Sequence, residues 1–297
     1  MSQAAATVGA VPDERAVGLW ADAFRRMRRS KAAIIGGTIV GFFVLMAIFA
    51  PFIAPYDPTR GNLADSYLPP FTADHLFGTN VQGQDVFSRI VFGSRLTLGI
   101  AVLSVSIGVT VGAVLGSLAG YFRGWVDAVI MRAVDIMLSI PGLLFAIAVV
   151  TWLGRGVIQI AIAIAIVNIP IFARLLRGSL LSLREADYVI AARSVGVGAG
   201  ALLVQHMLPN AIGPLIVQAT LALATAVVDA AALGFLGLGP PDPRTPEWGT
   251  MLSDTYRDLT DAVHLAFVPG IAIVISVLGF NLLGDGMREA LDPKLRR

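Results

Sequence analysis

The chain contains no cysteine and only two lysines, Lys31 and Lys294. The first absence excludes disulfides and thiolate-held metals and leaves the redox compartment open. The second excludes ATP hydrolysis by a P-loop, because neither lysine follows a glycine-rich G-x-x-x-x-G-K-[ST] run. Three histidines, His75, His206 and His264, lie far apart, and no H-E-x-x-H is present, so a hydrolytic metal is not expected. No G-x-S-x-G elbow occurs, and no Ser/His/Asp set has a supporting context, which leaves an intramembrane enzyme without a site. Charge is scarce as well: 14% of residues are Asp, Glu, Lys or Arg, against about 25% in a soluble domain.

What takes the place of charge is long apolar runs, and the mean hydropathy is +0.77. Six runs stand out: Ala32–Ile53, Leu96–Tyr121, Val134–Leu153, Val157–Phe172, Ala211–Leu236 and Val263–Leu283. Most reach the ~20 residues that a helix needs to cross ~30 Å of hydrocarbon, and the fourth is short. The runs lack the alternating polarity of transmembrane strands. The first, behind "RRMRRSK", is too long for a signal-peptide core and reads as an uncleaved span. The expected fold is all-α, a polytopic membrane protein with six transmembrane helices. With both termini in the cytoplasm, 16 of the 22 basic residues fall on the inner side and six on the outer side. Reversal would place the 16 outside, so the N-in, C-in topology is expected. The net charge of +2 then describes an inner membrane face and not a nucleic-acid surface.

The runs divide the chain. Residues 1–31 form a cytoplasmic tail, and 32–95 hold the first span and a proline-containing outer segment. A five-helix core covers 96–284, including a cytoplasmic loop at 173–210, and a second tail covers 285–297. The second span carries Gly108, Gly112, Gly116 and Gly120 in strict register, with Gly124 just beyond. Glycines four apart let a neighbouring backbone approach closely where lipid supplies no hydrophobic drive, so this stripe is assigned to helix packing. Asp229 lies in the fifth run, seven residues before Leu236, or roughly 10 Å below its outer end. An intramembrane carboxylate is expensive, and Asp229 is a candidate for lining a translocation pathway. It would also be the centre of the alternative function, a proton-coupled secondary transporter. A carboxylate hydrogen-bonded to neighbouring helices is the plainer reading.

The stretch "EADYVIAARSVG" (residues 185–196) is a charged island in this apolar chain, with Arg174, Arg177 and Arg184 just upstream. The loop around it predicts two short helices, one around Arg174–Arg193 and one over "ALLVQHML", linked by Gly196, Gly198 and Gly200. Pro209 fixes φ at the entry to the next span. An amphipathic helix here would lie along the inner face. The small residues Ala191, Ala192, Gly196 and Gly198 favour contact with a protein over lipid, whose anchors are Trp, Phe and Leu.

"AARSVG" through "HMLPN" resembles the signature cytoplasmic loop of binding-protein-dependent ABC transporter permeases. That pattern reads E-A-A, three residues, G, nine residues, I, one residue, L-P. Ala191, Ala192, Gly196, Leu208 and Pro209 match it; Ile190 stands in place of the Glu and His206 in place of the Ile. "HLFGTNVQGQDVFSR" (75–89), "FLGLGPPDPRTPEWGTML" (235–252) and "FNLLGDGMREALDP" (280–293) are similar to segments of the dipeptide/oligopeptide/nickel group. The resemblance implies the type I ABC importer permease fold in the inner membrane of a prokaryote. It implies one half of a heterodimeric pore completed by a second homologous permease. Two cytoplasmic ATPases would dock on the inner loops and carry the ATP and Mg²⁺, with no cofactor bound by this chain. An extracytoplasmic binding protein would deliver di- or oligopeptides, or nickel or other small solutes. It assigns ATPase coupling to Glu185, Asp187, Tyr188, Ala191, Ala192, Arg193, Gly196, Leu208 and Pro209. The absent motif Glu marks Ile190 as the place where that contact would differ.

Overall fold

A computed structural model describes residues 24–72, 74–256 and 262–291. Among the described residues the principal helices, of eight residues or more, are α1 (Lys31–Ile48), α2 (Val86–Phe122), α3 (Gly124–Leu138), α4 (Gly142–Leu153), α5 (Val157–Arg184), α6 (Asp187–Ser194), α7 (Leu208–Leu233), α8 (Trp248–Thr255) and α9 (His264–Leu291). Extended pairing among them is limited to two isolated bridges, Thr72 with His75 and Thr79 with Asp85. Of the two expected tails, 1–31 and 285–297, residues 1–23 and 292–297 lie outside the described residues.

Among the described residues, five helical stretches are long and apolar enough to cross a bilayer, α7 being counted with its flanking turns from Ala199 to Leu238. The sixth expected span is not one straight helix. Ser139, Ile140 and Pro141 separate α3 from α4, and the two meet at 94°. Pro141 has no N–H to donate and pushes the residue before it out of the helical region, which ends α3. The run Val134–Leu153 is therefore a bent pair. The short fourth run proves to be the start of a longer helix, because α5 continues to Arg184. Arg174 and Arg177 end the apolar stretch but not the helix, since both find carboxylate partners.

Local chemistry accounts for the helix starts. The Ser30 side chain accepts from Ala33 N at 3.4 Å ahead of α1, and Asp85 Oδ2 accepts from Ser88 N at 2.7 Å ahead of α2. Both satisfy an otherwise unpaired first-turn amide. At 37 residues, α2 is about 55 Å long, well beyond the hydrocarbon thickness, so its first turns stand in the outer segment.

The bundle centres on α2 against α5. A Cβ on Gly108 would lie 3.0 Å from Asn168 Cβ, and one on Gly112 would lie 2.6 Å from Phe172 Cβ. On Gly116 it would lie 2.6 Å from the Ala173 carbonyl oxygen, and on Gly120 3.2 Å from Leu180 Cβ. The four glycines thus lie along one face of α2, against which α5 packs. Dispersion contacts at this approach hold the pair without any hydrophobic drive from lipid. A second close pair joins α1 to α9, where a Cβ on Gly279 would meet Ile39 Cγ2 at 2.6 Å.

The outer segments fold into a cap. Arg89, 1% exposed, donates to the carbonyls of Pro58 (3.3 Å), Arg244 (3.1 Å) and Pro243 (3.3 Å) and to Gln84. Trp248 is fully buried and its Nε1 donates to Ile90 O at 3.1 Å. Buried Glu247 starts α8, accepting from Gly249 N (2.9 Å), Thr250 N (2.8 Å) and Thr97 Oγ1 (3.2 Å).

Candidate functional site

The inner loop begins where α5 ends. Arg177 makes a two-pronged pair with Asp127 of α3, at 2.5 and 2.6 Å, and Arg174, about one turn earlier on α5, pairs with Asp135 of α3. The expected first short helix, around Arg174–Arg193, is divided: Arg174 to Arg184 completes α5, and a separate α6 starts at Asp187. Glu185 and Ala186 make the corner.

Helix α6 carries complementary charge at both ends and a backbone closure at its C-terminus. Asp187 stands in its first turn and Arg193 in its last, each complementing the helix dipole. At its C-terminus, Gly196 N donates to Arg193 O and Val197 N to Ala192 O, both at 3.1 Å. This crossed pair is a Schellman closure, and it requires a left-handed residue where Gly196 sits, at φ +85°. The motif glycine is thereby explained: a side chain there would be strained whatever the space around it.

Val189 is fully buried and anchors α6 to the bundle. Tyr188 donates weakly to His206 O at 3.5 Å, and partial burial pushes its hydroxyl pKa up. Ile190, in the acidic position of the motif, is 47% exposed, and Glu185, Asp187, Ala191 and Arg193 are exposed too, with Ala192 half-buried. The second expected short helix is continuous with the fifth span. Ala199–Ala201 leads into a wide π turn, Leu202–Met207, which runs straight into Leu208 and Pro209 at the start of α7. The loop is therefore one short exposed helix held between two membrane helices.

Asp229 lies on α7, half-buried, with no hydrogen bond or ion pair among the described residues. It is not brought near α6 in the chain: 20 residues separate it from Pro209, about 30 Å along the helix. A second π turn, Gly234–Leu238, follows α7, with Gly237 at φ +77°. No group of three or more metal-ligating side chains occurs among the described residues.

Sequence reasoning passed over the buried polar cap residues, Arg89, Thr97, Glu247 and Trp248. Their signal was faint, since an arginine in an outer segment reads as solvated until its carbonyl partners from 150 residues away are known. Glu247 is also an unusual cap, because Ser, Thr, Asp and Asn are the preferred residues there.

Comparison with known proteins assigns the chain. Residues 112–297 match the family model for binding-protein-dependent transport system inner membrane components. Residues 18–70 match the N-terminal transmembrane domain of oligopeptide transport permease C. The dipeptide transport system permease protein DppC of Alkalihalophilus pseudofirmus is 46% identical over 281 residues, 95% of this chain and 92% of that one. The glutathione transport system permease protein GsiD of Escherichia coli O6:K15:H31 is 43% identical, over 93% of this chain and 91% of that one. Among solved structures, an inward-facing MetNI methionine ABC transporter aligns with a TM-score of 0.59 at 20% identity, over 69% of this chain and 97% of that one. That likeness supports the fold, an ABC permease bundle in which the bent α3–α4 pair replaces one straight span. With a family model covering more than half its length and relatives matched nearly end to end, the chain belongs to the binding-protein-dependent transport system inner membrane components, as a multi-pass ABC transporter permease.

Proposed function

We propose that the chain is the permease subunit of an importer for di- or oligopeptides, moved by alternating access that separate ATPase subunits drive. The observation that carries this reading is α6, a capped helix with exposed small residues held between two membrane-crossing helices. An element fixed at both ends to spans transmits a push on its exposed face to those spans. The peptide cargo rests on what the relatives are named for, dipeptides and glutathione. The pore partner is a second homologous permease, the ATPases supply ATP and Mg²⁺, and an extracytoplasmic binding protein delivers the solute. Of the chain's divisions, 32–95 then serves as entry span and outer cap, and 96–284 as the moving core.

In this reading Glu185, Asp187, Tyr188, Ala191, Ala192, Arg193 and Gly196 form the ATPase contact, with Leu208 and Pro209 setting the hinge into α7. Ile190 makes an apolar contact where relatives of the motif offer a carboxylate. The test is Gly196→Trp in the reconstituted complex with both ATPases and binding protein. A Cβ at Gly196 meets nothing within 4 Å in this chain, so the strain of a side chain at positive φ stays local to the end of α6, and the added bulk is met by the partner. The complex should assemble its two permeases, lose ATPase docking and lose ATP-dependent uptake. Normal docking and uptake would refute the coupling role. Asp229→Asn in the same vesicles should leave uptake dependent on ATP. Uptake driven by a pH gradient without ATPases, lost in that variant, would establish the proton-coupled transporter instead.

A further inference from the structure

We infer that the inner end of the bundle holds a binding site for the phosphate headgroup of an anionic phospholipid, adjoining the ATPase contact proposed for α6 and sharing Arg193 with it. A cavity of about 480 Å³ opens between the end of α2, the end of α5, α6 and the π turn that precedes α7. Two guanidinium side chains line it, Arg184 and Arg193. Neither makes an ion pair or hydrogen bond among the described residues, and adjacent Glu185 and Asp187 pair with neither. The other walls are apolar: Leu202 and Met207 are 5% and 7% exposed and form the floor, while Tyr121 and Phe122 close α2 at the rim.

Each feature selects the same ligand. Two unpaired arginines at one mouth attract a phosphodiester, which accepts from planar guanidinium donors in pairs. The apolar floor has no use for a free anion but accommodates the first carbons of an acyl chain. Aromatic residues at the ends of spans mark headgroup depth, and the chain's basic residues are concentrated on this side. Basic pockets between membrane helices on the cytoplasmic side are the setting in which anionic headgroups bind. The volume is within the ~300–1,000 Å³ of small-molecule sites. Because the cavity is walled by both ends of the inner loop, a lipid seated there would brace α6 against α2 and α5.

The test uses the complete transporter in nanodiscs that contain a photoactivatable phosphatidylglycerol or the matching phosphatidylcholine, with labelled peptides located by mass spectrometry. Phosphatidylglycerol should label residues 197–207 at least about tenfold more than phosphatidylcholine. Arg184→Gln should cut that labelling about fivefold, and Arg184→Gln with Arg193→Gln about twenty-five-fold. Arg184→Lys, which keeps the charge, should retain most of it, and this arm decides the matter if the double variant fails to assemble. Equal labelling by both lipids, or no change on removing both arginines, would overturn the site. Loss of labelling to millimolar inorganic phosphate would assign the cavity to a free anion. Labelling seen only after the ATPases are stripped away would assign it to them. Either result overturns the lipid reading.

Discussion

The outer cap and the inner loop are built on opposite plans. In the cap, three charged side chains are buried and satisfied: Arg89 by three carbonyls and Gln84, Glu247 by two amides and Thr97, Asp85 by Ser88 N and by His75 at 2.9 Å. On α6 and at the corner before it, Glu185, Asp187 and Arg193 are exposed, and α6 reaches the bundle chiefly through Val189. A satisfied buried network has one good arrangement and resists change, whereas an exposed helix on a thin anchor is free to follow a partner. The contrast places stiffness at the outer end and adaptability at the inner end, which is what the proposed drive by ATPases on the inner face requires.

The largest effect should come from the cap. Arg89→Met fills similar space but removes every guanidinium donor, leaving the carbonyls of Pro58, Pro243 and Arg244 without that partner. Stability should fall by about 3–5 kcal/mol, seen as a lowered unfolding midpoint in thermal denaturation of the purified protein. A loss below about 1 kcal/mol would mean that the cap is not the rigid end.

Next is the α2–α5 seam. Gly112→Leu drives carbon into the space held by Phe172 Cβ and the Ile169 carbonyl, 2.6 and 2.8 Å from a new Cβ. Overpacking of this kind costs about 1–3 kcal/mol. Gly178→Ala, on the same α5 but with nothing within 4 Å, should be neutral or stabilise by up to about 1 kcal/mol. Equal effects at the two glycines would remove the distinction between packing and incidental glycine.

Glu247 sharpens the comparison through pH. Burial pushes its carboxyl above the usual range, and the Gly249, Thr250 and Thr97 donors pull it back only in part. The folded state therefore holds this proton more tightly than the unfolded state does. Its contribution is complete below the ordinary carboxylate range and is lost as pH rises through the raised value. Melting curves of the native protein should fall over that window relative to those of Glu247→Gln, which keeps an acceptor for the α8 amides and does not titrate.

The sequence displayed the crossings, their orientation and the motif glycine, because each depends on short-range composition: apolar runs, Lys/Arg counts, and one residue that tolerates positive φ. It hid features that depend on pairing across the chain. The bend at Pro141 sat inside an unbroken apolar run, so hydropathy read one span where geometry makes two helices. The end of α5 was hidden because Arg174 and Arg177 look like loop residues until Asp135 and Asp127, from a helix some 40–50 residues earlier, are known to face them. The cap was invisible for the same reason, with Arg89 and Arg244 separated by 155 positions. In the loop, Gly196 could be named from its motif, but its Schellman role needed the carbonyls of Ala192 and Arg193.

The smallest expected effect is at that glycine. Gly196→Ala forces a Cβ into the left-handed region at φ +85°, a strain of about 1–2 kcal/mol. Nothing lies within 4 Å of the new carbon, so no packing is lost and the α2–α5 seam is untouched. The strain can be relieved locally by opening the two closing hydrogen bonds, Gly196 N to Arg193 O and Val197 N to Ala192 O. Global unfolding should therefore move by less than about 1 kcal/mol, while the amides at positions 196 and 197 lose hydrogen-exchange protection by about tenfold. If the whole bundle were destabilised as much as by Arg89→Met, the inner loop would be part of the rigid core. If instead only those amides open, α6 is a joint whose order is set locally, and the two ends of the molecule differ in the way their burial predicts.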